Sequence, residues 1–286
     1  MHNQKPTAFP PQSQPNQPGI EAQMNPQPVY DHPNYKPSNK LAGKVAIITG
    51  GDSGIGRAIA LMYAKEGAKV AIVYLNEEQD ANKTVADIMA QNMPCLAIKA
   101  DLKHEQSSFD VTKQVVDTYG KIDILINNAA VQYPKNSILD IDKNQMIHTF
   151  ESNFFSYFYM TKAALPHMGE NSSIINTASV TAFEGNPTLI DYSSTKGAIV
   201  TFTRSMALSL AEQNIRVNAV SPGPVWTPLV VAQNSPEAVE QFGLKTPMQR
   251  AAQPYELAPM YVFLASDDAS NITGQVFHVN SGTVIN

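Results

Sequence analysis

Lys44-Val-Ala-Ile-Ile-Thr49 leads into Gly50-Gly-Asp-Ser-Gly54-Ile-Gly56, and a helical pattern of apolar residues then runs from Arg57 to Glu66, with Gly67 after it. The short apolar run predicts a buried strand, and the terminal glycine is typical of a helix end. Glycines between a strand and a helix let the backbone turn tightly and approach a pyrophosphate, while the helix N-terminus offers free N–H groups. This stretch therefore predicts a dinucleotide site at the start of an α/β fold.

The same alternation of strand and helix continues along the chain, which predicts a parallel sheet with helices on both faces. The further predicted strands are 70–75, 95–100, 122–126, 173–177 and 216–220. The further predicted helices are 77–91, 105–119, 143–168 and one running to 210.

Polar residues or proline stand where these predicted strands end. They are Thr49, Asp101, Asn127, Ser179 and Pro222. Ligands of open parallel sheets bind beyond the carboxyl ends of the strands. The convergence of separate strands on such residues favours a functional site at this edge of the sheet.

Tyr192 and Lys196 are four residues apart in a predicted helix, so their side chains share one face about one turn apart. A cation close to a phenol favours the phenolate and lowers the pKa of the tyrosine. Taken alone, the pair favours the simpler interpretation of a tyrosine packed on a lysine stem. The surrounding motifs favour the catalytic interpretation.

The bulk properties exclude several classes of protein. The chain has 286 residues and a formal net charge of -5, and no basic run suggests a nucleic-acid partner. A single cysteine, Cys95, cannot form an internal disulfide. No apolar run approaches the roughly 18 residues of a membrane span, and no secretory signal is visible at the N-terminus. We therefore expect a cytoplasmic protein without a membrane partner, and we predict no metal site.

Residues 1–40 differ from the rest, with nine of the twenty prolines and six glutamines. Such a segment cannot bury enough apolar surface to fold alone, so we predict an extended arm preceding a catalytic domain over residues 41–286. Tyr30, His32 and Tyr35 are candidate anchors on the domain or on a neighbouring subunit. Residues 1–20 are equally compatible with a free tail.

The motifs together resemble the short-chain dehydrogenase/reductase superfamily from about Leu41 onward. The resemblance rests on Thr49-Gly50-x-x-x-Gly54-x-Gly56, Asn127-Asn-Ala, Ser179, Tyr192-x-x-x-Lys196 and Pro222-Gly223. The Pro-rich leader and the stretch 156–166 resemble bacterial oxidoreductases of the general-stress type. The resemblance implies a single Rossmann-type, doubly wound domain with about seven parallel strands, and a homotetramer.

The resemblance also implies catalytic roles. Tyr192 would be the general acid or base, and Lys196 would lower the pKa of Tyr192 and hydrogen-bond the nicotinamide ribose. Ser179 would hold the substrate oxygen. Asn153 would anchor a water that connects Lys196 to solvent, although an ordinary buried polar residue is also compatible with its position.

A nicotinamide cofactor, NAD or NADP, is implied in the same way. Thr227 would bond the carboxamide, Asp101 would meet the adenine, and Asn127 would lie along the cofactor. The full set of predicted cofactor-binding residues is Gly50, Asp52, Ser53, Gly54, Ile55, Gly56, Tyr74, Asn76, Glu77, Asp101, Leu102, Asn127, Ala129, Tyr192, Lys196, Pro222, Gly223, Val225 and Thr227.

The choice between the two cofactors depends on the end of the second strand. Tyr74 stands where NAD-specific members of the family usually have aspartate, and no Arg or Lys follows directly. Glu77 and Glu78 would repel a 2′-phosphate. Arg57 is the nearby cation of the glycine-loop region. The sequence thus favours NAD, with NADP left open.

Residues 225–250 follow Pro222-Gly223, a plausible hinge, and are predicted to form a lid over the substrate. Gln132, Val180, Phe183 and Trp226 are the candidate substrate contacts. This mixture suits a small aldehyde, ketone or sugar-like polyol.

The leading hypothesis is hydride transfer between a nicotinamide cofactor and a carbonyl or alcohol. The competing hypothesis is a cofactor-binding assembly or regulatory protein that uses the Pro-rich arm as its contact segment. An epimerase of the longer-chain relatives is disfavoured by the glycine spacing and by the short chain after Val220.

Overall fold

The computed structural model describes residues 8–32 and 34–285. Seven parallel strands form one sheet in the order β3-β2-β1-β4-β5-β6-β7. The strands are β1 Val45–Thr49, β2 Lys69–Tyr74, β3 Cys95–Lys99, β4 Ile122–Asn127, β5 Met168–Thr177, β6 Arg216–Pro222 and β7 Val276–Val279.

Helices connect the strands and cover both faces of the sheet. They are α1 Gly54–Lys65, α2 Glu78–Met89, α3 Glu105–Tyr119, α4 Lys143–Phe150, α5 Ser156–Ala164, α6 Thr181–Glu184, α7 Ile190–Leu210, α8 Pro228–Val231, α9 Pro236–Glu240 and α10 Ala258–Ala265. The shorter 3₁₀ turns are Glu21–Gln23, Ile138–Asp140, Leu165–His167, Ala211–Gln213, Pro254–Glu256 and Asp267–Ala269, and Glu151–Phe155 is a π-helical turn.

Alternation along β1 divides the core into two layers. Ala46 and Ile48 point to the layer that includes α1 and α10, whereas Val45 and Ile47 point to the layer that includes α3, α5 and α7. Both layers consist mainly of buried aliphatic side chains, and the first also contains Tyr30, Tyr63 and Tyr261. The predicted doubly wound Rossmann-type fold, with helices on both faces of one sheet, is therefore confirmed.

The helix predicted over 143–168 differs from the observed structure. It is interrupted by the π turn at Glu151–Phe155, and Pro166 lies in the 3₁₀ turn that follows α5. Met168 belongs to β5, which begins five residues earlier than the predicted 173–177. Residues 169–171 are exposed, so their polarity concealed the first part of the strand.

The arm is packed against the domain along its described length. Phe9, Met24 and Tyr30 are buried. The Tyr35 hydroxyl donates to Glu66, and the His32 ring meets Tyr255 edge to face at 5.1 Å between ring centroids. A free tail is wrong from residue 8 onward, because this segment contributes apolar side chains to a shared core. Residues 1–7 lie outside the described part, and the boundary at residue 40 stays a prediction.

Candidate active site

A cavity of about 990 Å³ opens at the carboxyl ends of the strands. The glycine loop forms one side of it, and Ser179, Tyr192 and Lys196 form another. Residues of the 225–250 segment and of the arm complete the wall. The predicted site residues that line it are Gly50, Asp52, Ser53, Gly54, Ile55, Tyr74, Glu77, Asp101, Leu102, Ala129, Gln132, Ser179, Val180, Tyr192, Lys196, Pro222, Gly223, Val225 and Thr227.

Tyr192 and Lys196 lie one turn apart on α7, and both are buried. The Lys196 Nζ donates to the Thr177 carbonyl oxygen over 2.8 Å and lies 5.5 Å from the centroid of the Tyr192 ring. The Ser179 hydroxyl hydrogen-bonds the Tyr192 phenol. The three groups therefore converge on one point of the cavity, as the spacing predicted.

Burial shifts the pKa values of both groups of this pair. Burial raises the pKa of Tyr192 to about 12, although the hydrogen bond with Ser179 lowers it. Burial also lowers the pKa of Lys196 to about 7. Desolvation thus acts against the charged form of each group, and the lowering of the Tyr192 pKa by Lys196 beside a bound nicotinamide stays a prediction.

Asn153 lies in the π turn and does not line the cavity. Its Oδ1 accepts from the Val131 N–H and its Nδ2 donates to the Val131 carbonyl, each over 2.8 Å. Its Nδ2 also reaches the Thr195 hydroxyl at 3.3 Å. Asn153 therefore holds the Val131 main chain, which lines the cavity, against α7. Its predicted role in a water relay stays a prediction.

The Asn127 side chain does not lie along the cavity, contrary to the prediction. Its Nδ2 donates to Asn176 at 2.9 Å and to Thr161 at 3.2 Å, beneath the floor of the site. The next residue, Asn128, instead reaches the Thr49 and Gly50 carbonyls at 3.0 and 3.3 Å. Successive strand residues point to opposite faces, so only one asparagine of the pair can meet the loop.

Four other predicted contacts lie elsewhere. Trp226 is fully buried beneath the arm, and the Phe183 ring packs on His278 at 4.6 Å. Asn76 is exposed beside Glu77. Gly56 is packed so closely that an added Cβ would lie 1.9 Å from the Gly50 carbonyl oxygen, so it shapes the loop from behind.

Two buried residues that the sequence did not single out support the pair. Asp191 accepts hydrogen bonds from the Tyr192 N–H and from the Thr149 hydroxyl, both over 2.9 Å. The Lys196 Nζ lies 5.5 Å from the centroid of the Tyr157 ring. The position of Asp191 directly before Tyr192 was the available signal, since a carboxylate in the first turn of a helix favours that helix start.

The comparisons with known proteins agree with this geometry. A family model described as enoyl-(acyl carrier protein) reductase matches residues 50–284. The chain belongs to the short-chain dehydrogenase/reductase family. It is therefore a nicotinamide-dependent oxidoreductase of that family.

Several relatives match over nearly their whole length. General stress protein 39 of Bacillus subtilis (strain 168) is 51% identical over 98% of both chains. Glucose and ribitol dehydrogenase of Daucus carota is 50% identical over 97% of this chain and 98% of its own. NADPH-dependent aldehyde reductase 1, chloroplastic, of Arabidopsis thaliana is 50% identical over 96% and 98%.

Solved structures of the family share the fold. A short chain dehydrogenase of Burkholderia cenocepacia J2315 in complex with NADP has a TM-score of 0.80 and 28% identity, covering 85% of this chain and 98% of its own. A 3-ketoacyl-(acyl-carrier-protein) reductase of Brucella melitensis complexed with NADH has a TM-score of 0.79 and 33% identity, covering 86% and 100%.

Within residues 8–32 and 34–285 no three His, Cys, Asp or Glu side chains are grouped to hold a metal ion. No helix in the same described ranges is long and apolar enough to span a membrane.

Asp52 gives the glycine loop a testable pH response. Burial raises its pKa from 3.8 to about 7, and the negative charges of Glu77 and Asp80 act in the same direction. A carboxyl whose pKa is higher in the folded than in the unfolded state stabilises the fold at low pH, and this contribution is lost as the pH rises from about 4 to about 7.

We expect Asp52→Asn to raise the thermal unfolding midpoint by at least about 3 °C at pH 8 and to give no gain at pH 4. Differential scanning calorimetry of the cofactor-free protein at both pH values measures this. The matched control is Asp110→Asn, which changes an exposed carboxylate on α3. A rise in the unfolding midpoint of equal size at pH 4 and pH 8 would show that Asp52 is ionised in the folded protein at both pH values.

Proposed function

We propose that the protein interconverts a small carbonyl compound and its alcohol by hydride transfer with a nicotinamide cofactor, acting on the CH–OH group. The observation that carries this proposal is the convergence of Ser179, Tyr192 and Lys196 on one cavity that the glycine loop also lines. The test is an assay of the purified protein against aldehydes, aldoses and polyols with each cofactor. No turnover with any of them would contradict the proposal.

The residues around the glycine loop fit a dinucleotide. Gly50 and Gly54 both have positive φ angles, +63° and +54°, which bring the backbone to the cavity surface without side chains. The N-terminus of α1 follows directly and can hold a pyrophosphate. When bound, the nicotinamide supplies or accepts the hydride.

The chain's own groups handle the proton. In reduction, the Tyr192 hydroxyl gives its proton to the substrate oxygen, which the Ser179 hydroxyl holds by a second hydrogen bond; in oxidation Tyr192 takes that proton back. With a pKa of about 12, the Tyr192 phenol carries at neutral pH the proton that a general acid donates. Lys196, whose Nζ donates to the Thr177 carbonyl, would bind the ribose of the nicotinamide cofactor.

The cavity wall supports a polar substrate. Beyond Tyr192 it is lined by the amide side chains of Gln132, Gln233, Asn234 and Gln241. The Oε1 of Gln233 is buried and has no hydrogen-bond partner among the described residues. A substrate hydroxyl would satisfy such an atom. Together with relatives named for glucose, ribitol and aldehydes, this favours a sugar-like polyol or its aldehyde.

Two observations about the cofactor preference point in opposite directions. Glu77 lines the cavity and is half-buried, and Arg57 is held by Glu21 and Asp87, so the local charge favours NAD. One relative is named NADPH-dependent, which favours NADP. Isothermal titration calorimetry with NADH and NADPH decides between them.

Whichever cofactor binds more tightly, Glu77→Gln is expected to tighten NADPH binding about 5-fold and to change NADH binding less than about 2-fold, because it removes a carboxylate near the ribose. Calorimetry of both cofactors measures the ratio. Glu78→Gln is the matched control, since its exposed side chain forms a salt bridge with Lys99. Equal effects of the two substitutions would place the 2′-phosphate away from Glu77.

An assembly or regulatory role for the arm is less well supported. Its described residues already pack on the chain's own domain, as Phe9 and Tyr30 do. Deletion of residues 1–38 would expose that core as well as remove a contact segment. Single substitutions in the arm, followed by kinetics and sizing, discriminate the two hypotheses better.

A homotetramer in the cytoplasm is part of the proposal. Apolar side chains of Met146, Ile147, Phe155, Phe158 and Leu208 are exposed on or beside α4, α5 and α7. Exposed apolar surface of this kind is typical of a subunit interface. Light scattering of the purified protein measures the mass, and fractionation of producing cells tests the location.

A further inference from the structure

The arm reaches the same cavity as the catalytic groups. Gln17, Pro18 and Gly19 all line it, together with Ser179 and Tyr192. The family model begins only at residue 50, so these contacts lie outside the part of the chain that it describes. The arm therefore forms part of the substrate cavity itself.

Gln17 pairs with the main chain of Gln132 through two hydrogen bonds. Its Nε2 donates to the Gln132 carbonyl oxygen over 2.5 Å, and its Oε1 accepts from the Gln132 N–H over 3.2 Å. Gln132 is buried and lines the cavity. The pairing fixes the backbone of this wall by direct contact, much as a neighbouring strand would.

The arm on either side of Gln17 is seated on α8. Gly19 is packed so closely on α8 that an added Cβ would lie 2.5 Å from the Pro228 carbonyl oxygen. The Gln14 N–H donates to the Val231 carbonyl oxygen over 2.7 Å. The arm thus bridges the Gln132 wall and the 225–250 segment.

The bridge is anchored by apolar contacts around Trp226. The Phe9 ring stacks on the Trp226 ring at 3.7 Å between centroids, and the Trp226 Nε1 donates to the Pro26 carbonyl over 2.8 Å. Met24 and Val230 complete this cluster. The arm is consequently held on both sides of Gln17, which fixes the position of its amide.

We propose that Gln17 is a substrate-selectivity residue that positions Gln132 and closes the cavity around the part of the substrate remote from its reacting carbon. The inference rests on the proposed hydride-transfer function. It assigns to the arm the recognition of longer polyhydroxy substrates, which reach this wall, whereas a short aldehyde does not.

The test compares Gln17→Ala with Gln27→Ala, which makes the same change at an exposed arm position. Initial rates are measured with a three-carbon aldehyde and with five- and six-carbon aldoses or polyols. For Gln17→Ala we expect KM for the longer substrates to rise about 10-fold with kcat within about 3-fold, while kcat/KM for the short aldehyde changes less than about 3-fold. Cofactor affinity is expected to stay within about 2-fold.

Gln17→Glu is the second variant, because it keeps the size of the side chain but replaces the donor to the Gln132 carbonyl by an acceptor. We expect the same selectivity change or a larger one. The proposal would be overturned if the Gln17 variants lost kcat/KM by the same factor for short and long substrates. It would also be overturned if their kinetics equalled those of Gln27→Ala. Wild-type protein without turnover of any substrate would instead refute the proposed function, so the two failures are distinguishable.

Discussion

Replacing Tyr192 by phenylalanine is expected to lower kcat about 10³-fold, within the 10²- to 10⁴-fold range of a lost general acid or base. The substitution removes one hydroxyl from a buried ring and leaves its packing on α7 unchanged. Affinity for the cofactor is expected to change less than about 3-fold. Steady-state rates and calorimetric titration of the variant measure the two effects separately.

Tyr119→Phe is the control for this experiment. It makes the same chemical change at the end of α3, at a residue that does not line the cavity. We expect rates within about 2-fold of the wild type, because no proton transfer passes through Tyr119. Turnover by Tyr192→Phe at the wild-type rate would contradict the assignment of the proton to Tyr192.

Glu21→Ala is expected to lower the free energy of unfolding by about 3 kcal/mol, because it leaves a buried guanidinium without its buried partner. Arg57 is fully enclosed, with a side-chain exposure of 3%, and it forms ion pairs with Glu21 and with the half-exposed Asp87. The Arg57 guanidinium also lies 4.6 Å from the centroid of the Tyr30 ring. Urea unfolding at one fixed protein concentration measures the loss.

A second ion pair between the arm and α1 provides the comparison. Lys65 pairs with Asp31, whose side chain is 58% exposed. We expect Asp31→Ala to cost less than about 1 kcal/mol, since exposed pairs contribute little. Similar losses for Asp31→Ala and Glu21→Ala would mean that burial of the Arg57 pair does not govern the attachment of the arm.

The sheet and the placement of Tyr192 and Lys196 on one helix face could be predicted from the sequence because their signals are local. β1, the glycine loop and α1 are contiguous, and Tyr192 and Lys196 are one turn apart on α7. Short apolar runs and helical spacing report such elements directly. The cavity at the carboxyl ends follows from parallel strands alone.

The arm contacts could not be predicted, since they join residues far apart in the chain. Gln17 and Gln132 are 115 positions apart, and Glu21 and Arg57 are 36 apart. Composition predicts that the arm cannot fold alone, but it does not report the surface that the arm covers. Trp226 was assigned to the pocket for the same reason, because its partner Phe9 was not apparent.

The orientation of individual polar side chains could not be predicted from the sequence either. The choice between Asn127 and Asn128 depends on the phase of β4, which one apolar run does not fix. The π turn that carries Asn153 has no pattern of its own in Glu151–Phe155. Only its hydrogen bonds with Val131 and Thr195 show that Asn153 joins the main chain at Val131 to α7.

The stacking of Phe9 on Trp226 also provides an optical reporter. Trp226 is the one tryptophan in the sequence, and its indole is fully buried against Phe9 of the arm. Intrinsic emission excited at the indole band therefore arises from the single place where the arm is seated. A shift of that emission to longer wavelength would record water reaching the indole as the arm detaches, in real time and without any label.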